Sequence, residues 1–404
     1  MSASEPEPAP RKLRILYHHR TRSKDGQNVH IEELTAALKR RGHEIVMCEP
    51  GGMREATFGD DATAEGAGLI GWLKRLLPAP VYELLELGYS VPAYFRLARA
   101  WREHRPDVLY ERNNLFLLSG GWLAKRARLP FLLEVNAPLA DERAKYGDLA
   151  MRGFARWLEH VAWRQADYVL PVTDVLADFC RAGGVPDGHI RVIPNGINLG
   201  RFPPSLNGDA ARAELGLEGK VVLGFTGFMR AWHGLNAVVD AIAESPNREN
   251  LHFLIVGDGL ARAELEAHAA KRGVADQVTV LGVVQRDQVA HYVAAFDVAL
   301  QPKVTDYASP LKAFEYMTLG KAIVAPDQPN IREILKHDDS ALLFDPAAPG
   351  AFRGAIDRLC ADSELRTRLG AAAARAIAVH DYTWDGNARR VETLFLELLA
   401  ARGK

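Results

Sequence analysis

Short apolar runs alternate with longer stretches whose apolar residues recur at helical spacing, and the alternation continues through both halves of the chain. This is the pattern of parallel α/β architecture, in which strands are buried on both faces and crossover helices on one. Leu13–Tyr17 reads as the first strand. A loop containing Gly26 follows, then a helix over Val29–Arg41 with Ile31, Leu34 and Leu38 on one face, closed by Gly42. Glu44–Cys48 is the second strand, and Val108–Tyr110, Phe131–Val135, Tyr168–Val172 and Arg191–Ile193 complete the first series. The turn Pro194-Asn195-Gly196-Ile197, with Pro203 and Pro204 beyond it, marks a linker. A second series runs through Val221–Thr226, His252–Val256, Val278–Leu281, Val298–Leu300, Ala322–Ala325 and Ala341–Phe344.

The pattern thus predicts two Rossmann-like α/β domains with parallel sheets, 12–200 and 201–380. Residues 1–11 are polar and proline-rich and read as a disordered tail. The helical stretch within 381–404 is placed to cross back onto the first domain. Residues 72–104 hold a further helical region interrupted by Pro78, Pro80 and Pro92. Its Trp72, Leu76, Leu77, Leu84 and Leu85 stand beside Lys74, Arg75, Arg96, Arg99 and Arg102. Two readings stay open for it: a peripheral helix on the inner membrane face, and a helix packed on the domain's own sheet.

At 404 residues the chain exceeds one ordinary core, which supports two domains. A formal net charge of -1 leaves no global basic field, so nucleic acid is not an expected partner. Cys48, Cys180 and Cys360 are few and far apart, which argues for reduced thiols and against a disulfide framework or zinc cluster. The start lacks the basic and apolar regions of a signal peptide, and no uncharged apolar run of about 18 residues occurs. The expected location is cytoplasmic.

The segment richest in chemistry is Tyr307-Ala-Ser-Pro-Leu-Lys-Ala-Phe-Glu-Tyr-Met-Thr-Leu-Gly-Lys321. Ser309 suits an N-cap, Pro310 the first helical position and Gly320 the position just past the end. The helix so defined would point its free amides and positive dipole end from a strand's carboxyl edge, a site for a diphosphate. Lys312 adds a full charge in the first turn. Glu315 lies three residues on, where a carboxylate can accept from a ribose diol. Taken alone, Lys312 and Glu315 could equally be a surface i,i+3 pair.

Ser309 to Lys321, followed by Ala-Ile-Val-Ala, resembles the donor-binding segment of retaining glycosyltransferase family 4, of the GT-B fold. Three other segments agree in order: Gly26-Gln-Asn-Val-His-Ile-Glu-Glu-Leu, running to Arg41-Gly-His-Glu; Val192-Ile-Pro-Asn-Gly-Ile197; and Leu254-Ile-Val-Gly-Asp-Gly259. The resemblance spans residues 13 to about 380. It implies metal-independent, retaining transfer of a hexosyl unit from a nucleotide-diphosphate sugar to an acceptor hydroxyl in glycan biosynthesis, with no cofactor beyond the donor. It also implies that Gly26, His233, Gly257, Ser309, Pro310, Leu311 and Glu315 line the donor site.

The chain departs from the family pattern at three places. The family's two glutamates are separated by seven residues; Glu315 matches the second, whereas the first falls on Tyr307. The usual arginine and lysine after the second domain's first strand fall on Phe228 and His233. In Gly227-Phe-Met-Arg-Ala-Trp-His-Gly234 the nearest cation is Arg230, so Arg230 and Lys312 are expected to neutralise the departing diphosphate, with His233 adding a hydrogen bond.

In Leu133-Glu-Val-Asn-Ala-Pro138, relatives often carry a histidine where Glu134 or Asn136 stands here. Asn136 reads either as a ligand for a sugar hydroxyl or as an Asx turn. His30 and the Gly26 loop read as contacts to donor phosphate or acceptor, or as a tight turn. Tyr110-Glu111-Arg112-Asn113 is an acceptor site or a structural ion-pair site. The expected acceptor is a glycan, a lipid-linked molecule or a small molecule.

No Asp-x-Asp, His-Glu-x-x-His, Gly-x-Ser-x-Gly, Walker A or complete Gly-x-Gly-x-x-Gly motif occurs. Metal-assisted hydrolysis, serine hydrolysis, phosphoryl transfer and standard NAD chemistry therefore lose support. A nucleotide-sugar epimerase, or a non-catalytic sugar-nucleotide-binding subunit, would use the same scaffold.

Overall fold

The structure is a computed structural model and describes residues 11–21, 26–49, 77–145 and 149–403. Strands β1 (Arg14–His18), β2 (Glu44–Cys48), β3 (Val108–Arg112), β4 (Phe131–Val135) and β5 (Tyr168–Pro171) form one sheet in the order β2-β1-β3-β4-β5. The second sheet is built from β6 (Val221–Thr226), β7 (Leu251–Val256), β8 (Val278–Val280), β9 (Val298–Leu300), β10 (Ala322–Pro326) and β11 (Leu342–Phe344). Its order is β11-β10-β9-β6-β7-β8. All neighbours in both sheets pair parallel.

Alternation of side chains along β1, β3 and β4 divides the first domain's core between the two sheet faces. Leu16, Leu109, Phe131 and Leu133 pack with Leu97, Leu123 and Trp163 on one side. Ile15, Tyr17, Val108, Tyr110 and Leu132 pack on the other with Ile31, Leu34 and Leu38 from the helix Gly26–Arg40. Trp384, Val391 and Phe395 of the last helix, Trp384–Ala401, complete this second face, so the chain's final element belongs to the first domain's core.

The two crossings between domains lie against each other. Ile197 N–H donates to Tyr382 O at 3.0 Å, and Trp384 N–H donates to Ile197 O at 3.2 Å. A Cβ on Gly196 would stand 2.6 Å from the carbonyl carbon of Thr383, so the close approach requires glycine there.

Arg191–Ile193, expected as a sixth strand of the first sheet, is not one. Arg191 and Ile193 donate to Val169 O and Pro171 O, each at 3.0 Å, and only an isolated Val169–Ile190 bridge forms. Pro171 has no N–H to return and Pro194 has none to continue, so the ladder cannot close.

Residues 77–104 form two helices, Ala79–Gly88 and Ser90–His104. Pro78 is the N-cap of the first, and Pro80 and Pro92 stand in first turns, where a missing N–H costs nothing. Ala93, Leu97 and Ala98 face the core, whereas Val81, Leu84, Leu85, Val91 and Phe95 are exposed. Trp72, Lys74, Arg75 and Leu76 lie outside the described residues, as do residues 1–10. Among the described residues no helix is long and apolar enough to cross a membrane.

Candidate active site

Parallel sheets bind ligands at the carboxyl ends of their strands, and both domains carry their polar residues there. In the second domain the loops after β6 and β7 are zipped together by backbone. Gly227 N–H donates to Val256 O at 3.0 Å and Met229 N–H to Asp258 O at 2.8 Å. Gly257 has φ +148, and a Cβ there would lie 2.2 Å from Gly227 O. Gly257 therefore serves loop packing: the space a side chain would take is filled by Gly227 and not by a ligand.

The helix of the richest motif spans Leu311–Thr318. It ends as expected, with Gly320 at φ +62. Gly320 N–H donates to Met317 O and Lys321 N–H to Tyr316 O, both at 3.0 Å, which makes a Schellman closure. Its start differs from expectation. Pro310 is the N-cap and makes no side-chain cap, so Ser309 stands one residue too early to fill that role. The Ser309 hydroxyl instead accepts from Asn195 N–H at 3.1 Å. Leu311 leads the helix with a side chain packed against the first domain's core. The first helical amides, Leu311 and Lys312, have no intrahelical acceptor.

Lys312 Nζ lies 3.9 Å from the centre of the Phe225 ring, a cation–π contact at the end of β6. Neither the Lys312 nor the Glu315 side chain makes a hydrogen bond or ion pair among the described residues. Burial pushes Lys312 down to about 7 despite the favourable charge of Glu315. Burial likewise pushes Glu315 up to about 7, against the pull of Lys312 and Arg286. Two half-enclosed ionisable groups without partners are costly unless something else completes them.

His233 and Arg230 belong to the short 3-10 turn after β6. Arg230 N–H donates to His233 Nδ1 at 3.1 Å, which leaves the proton of the neutral ring on Nε2. Burial, then the charges of Lys312 and Arg230, push the His233 imidazole down to about 3, so it is neutral at pH 7. The Arg230 side chain is exposed, with its guanidinium carbon 5.2 Å from the Phe228 ring centre.

The first domain's candidates converge in a different way. Glu134 accepts from Tyr110 Oη at 2.7 Å and from Arg112 and Asn136, and it pairs with His30 Nε2 at 2.9 Å. Burial opposes ionisation of Glu134, but His30, the Arg112 guanidinium and the Asn136 hydrogen bond outweigh it and hold its carboxyl well below the usual range. The other ring nitrogen of His30, Nδ1, meets Asn195 Oδ1 at 2.8 Å. Glu134 and His30, expected to bind acceptor, are engaged by these neighbours. Asn136 is half-buried, and among the described residues its side chain is engaged through Nδ2 alone. Tyr110-Glu111-Arg112-Asn113 is an ion-pair and hydrogen-bond site: Glu111 pairs with His18, Arg112 with Glu134, and Asn113 faces Glu159 at 3.5 Å. Gly26 is the first residue of the helix Gly26–Arg40, not part of the loop before it, and residues 22–25 lie outside the described residues.

Three joints between the domains were not apparent in the sequence. Asn195 Nδ2 donates to Ser309 O at 2.7 Å while its Oδ1 faces His30, so one amide bridges the domains. Arg286, after β8, pairs with Glu32 and with Glu33 at 2.9 Å. Thr173 Oγ1 donates to Tyr307 O at 2.8 Å, and the Tyr307 ring packs on the first domain's core, where the family pattern places a glutamate. The Pro-Asn-Gly signal marked the crossing between the domains, which is extended rather than a turn, but not what the asparagine bonds; Arg286 carries no motif at all.

Two parallel Rossmann-like sheets with polar carboxyl edges joined across their linker define a GT-B protein, the architecture of a large class of sugar transferases. Residues 24–201 match the family described as Glycosyltransferase Family 4, and residues 208–376 match that described as Glycosyl transferases group 1. The D-inositol 3-phosphate glycosyltransferase of Streptomyces bingchenggensis is 28% identical over 419 residues, covering 96% of this chain and 90% of that protein. Sucrose-phosphate synthase from Thermosynechococcus elongatus superposes with a TM-score of 0.74 at 20% identity, covering 96% and 100% of the two chains. Anabaena HepE in complex with UDP-glucose gives 0.68 at 19%, again covering 96% and 100%. The chain belongs to glycosyltransferase family 4 and is a glycosyltransferase.

Proposed function

We propose that the chain transfers a hexosyl unit from a nucleotide-diphosphate sugar to an acceptor hydroxyl, with retention of anomeric configuration and without a metal. The observation that carries this reading is the pair Lys312 and Glu315: enclosed, unpartnered and on the helix whose free amides open at the carboxyl edge of the second sheet. The pyrophosphate sits on the amides of Leu311 and Lys312, with Lys312 and Arg230 supplying positive charge and His233 Nε2–H a neutral hydrogen bond. Glu315 accepts from the ribose hydroxyls. These groups supply the charge that a metal would otherwise provide.

As the bond from the anomeric carbon to the phosphate oxygen breaks, negative charge grows on the diphosphate where the cations and amides already stand. The acceptor oxygen bonds the same carbon from the leaving-group face, and its proton passes to the departing phosphate oxygen. The engagement of Glu134 by four neighbours supports a route without a carboxylate nucleophile. Asn136, with its carbonyl oxygen unengaged, orients a sugar hydroxyl. The exposed apolar residues of Ala79–Gly88 and Ser90–His104, next to Arg99 and Arg102, support a peripheral membrane contact on the first domain.

The test is to incubate the protein with nucleotide sugars and acceptors and determine the product's anomeric configuration by NMR. Retention supports the reading; an inverted product, or epimerised donor with no acceptor present, contradicts it.

A further inference from the structure

A second cationic site stands on the first domain, apart from the network of His30 and Glu134. Its centre is Tyr89, the residue joining the helices Ala79–Gly88 and Ser90–His104. The guanidinium carbons of Arg20 and Arg96 lie 4.7 Å and 5.0 Å from the centre of this one ring. Arg96 also donates to the Tyr89 hydroxyl. Arg20 follows β1 by two residues. Arg20 thus stands just beyond the carboxyl end of β1, the edge at which an α/β domain binds its ligand, and the shared Tyr89 ring brings Arg96 beside it.

The site's charges do not balance. Arg96 has no carboxylate within ion-pair distance among the described residues, and its Nε is buried without an acceptor. Among the described residues the carboxylate that pairs with Arg20 is Glu86, at 4.0 Å, a stretched contact. The other oxygen of Glu86 is taken by Arg143 at 2.9 Å. Two guanidiniums held on one ring repel each other, and a buried unpaired N–H costs further free energy. An anion between them removes both penalties. Planar, forked donors stacked on an aromatic ring match the oxygens of a phosphoryl group better than a point charge does.

We propose that Arg20, Arg96 and Tyr89 form a subsite that holds a phosphoryl group of the acceptor. The inference rests on the proposed transfer reaction and specifies its acceptor as a phosphate ester. A soluble phosphorylated polyol or sugar and a lipid-linked phosphate share this chemistry, and the apolar residues Val81, Leu84, Val91 and Phe95 on the flanking helices make the second source testable.

Calorimetric titrations use the full chain with its nucleotide site filled by a nucleoside diphosphate, so that the probe cannot occupy Lys312. The probes are glycerol 3-phosphate and dihexanoyl phosphatidic acid, with glycerol as control. At least one phosphate probe binds, the binding weakens with added salt, and Arg20→Met with Arg96→Met lowers its affinity about tenfold or more. Nucleoside diphosphate affinity stays unchanged. Equal affinity for both probes identifies a soluble acceptor, and a gain of about tenfold from the acyl chains identifies a lipid-linked one. No binding of either phosphate, or binding undiminished in the double variant, overturns the proposal. If the double variant loses nucleotide binding and hence its fold, the single variants Arg20→Gln and Arg96→Gln decide by the same comparison. Normal nucleotide-sugar turnover with no phosphate binding sinks this subsite alone; no nucleotide binding by the native chain sinks the transfer reading itself.

Discussion

Asn195 and Ser309 are joined twice across the domain boundary, by Asn195 N–H to the Ser309 hydroxyl at 3.1 Å and by Asn195 Nδ2 to the Ser309 carbonyl at 2.7 Å. The same asparagine holds His30 through its Oδ1 at 2.8 Å. The start of the helix Leu311–Thr318 is thereby tied to the first domain through one buried amide. Ser309→Ala leaves one buried N–H unpaired and should cost about 1–3 kcal/mol in thermal unfolding. Asn195→Leu strands Ser309 O and His30 together, so a larger loss is expected, accompanied by weaker nucleotide binding. Unchanged melting in both variants would contradict the joint.

In the proposed reaction Lys312 supplies charge to the leaving group and not stability to the fold. Lys312→Met removes an enclosed, unpaired ammonium, so the ligand-free protein should gain about 0.5–2 kcal/mol in thermal melting. Transfer should fall by roughly two to three orders of magnitude, the loss of about 3 kcal/mol of leaving-group stabilisation. A destabilised variant with near-normal turnover would refute this assignment.

The pH dependence follows from the same group. Free Lys312, pushed down to about 7, is largely neutral above that pH, and a bound diphosphate raises it again. Binding thus takes up a proton above pH 7, and affinity for a nucleotide sugar should fall as pH rises from about 7 to 9. The midpoint belongs to Lys312 and Glu315 together, because their charges interact. Lys312→Arg keeps its charge and should flatten this limb. Titrations at several pH values check both; a flat native profile would argue against a cation that titrates.

Gly257→Ala places a Cβ 2.2 Å from Gly227 O at φ +148, two faults at one position. A loss of about 3 kcal/mol or more is expected, with nucleotide binding lost as the Gly227 and Gly257 loops part. Chemical denaturation measures the first and calorimetry the second.

The fold was readable because its code is local. Apolar runs placed all eleven strands of the two parallel sheets to within a few residues, and the Gly320 closure needed only one glycine of the right kind. Arg191–Ile193 misled because its periodicity is that of a strand, while the prolines that stop the ladder stand in β5 and just past its own end. Among the candidate site residues, Lys312, Glu315 and His233 were singled out through motif and spacing. Ser309 was not understood, because its partner is 114 residues away and a serine before a helix signals a cap whatever its hydroxyl does. Glu134 was read as a ligand for its place at a strand's carboxyl edge, and His30 for its place in the first turns of the helix after β1. Their saturation by Tyr110, Arg112, Asn136 and Asn195 depends on contacts that no local pattern encodes.

The most direct measurement is a crystal structure of the protein with a bound nucleoside diphosphate. The β-phosphate should rest on the amides of Leu311 and Lys312, with Lys312 Nζ within ion-pair distance and both ribose hydroxyls on Glu315. Phosphates lodged elsewhere, with Lys312 and Glu315 still unpartnered, would contradict the account.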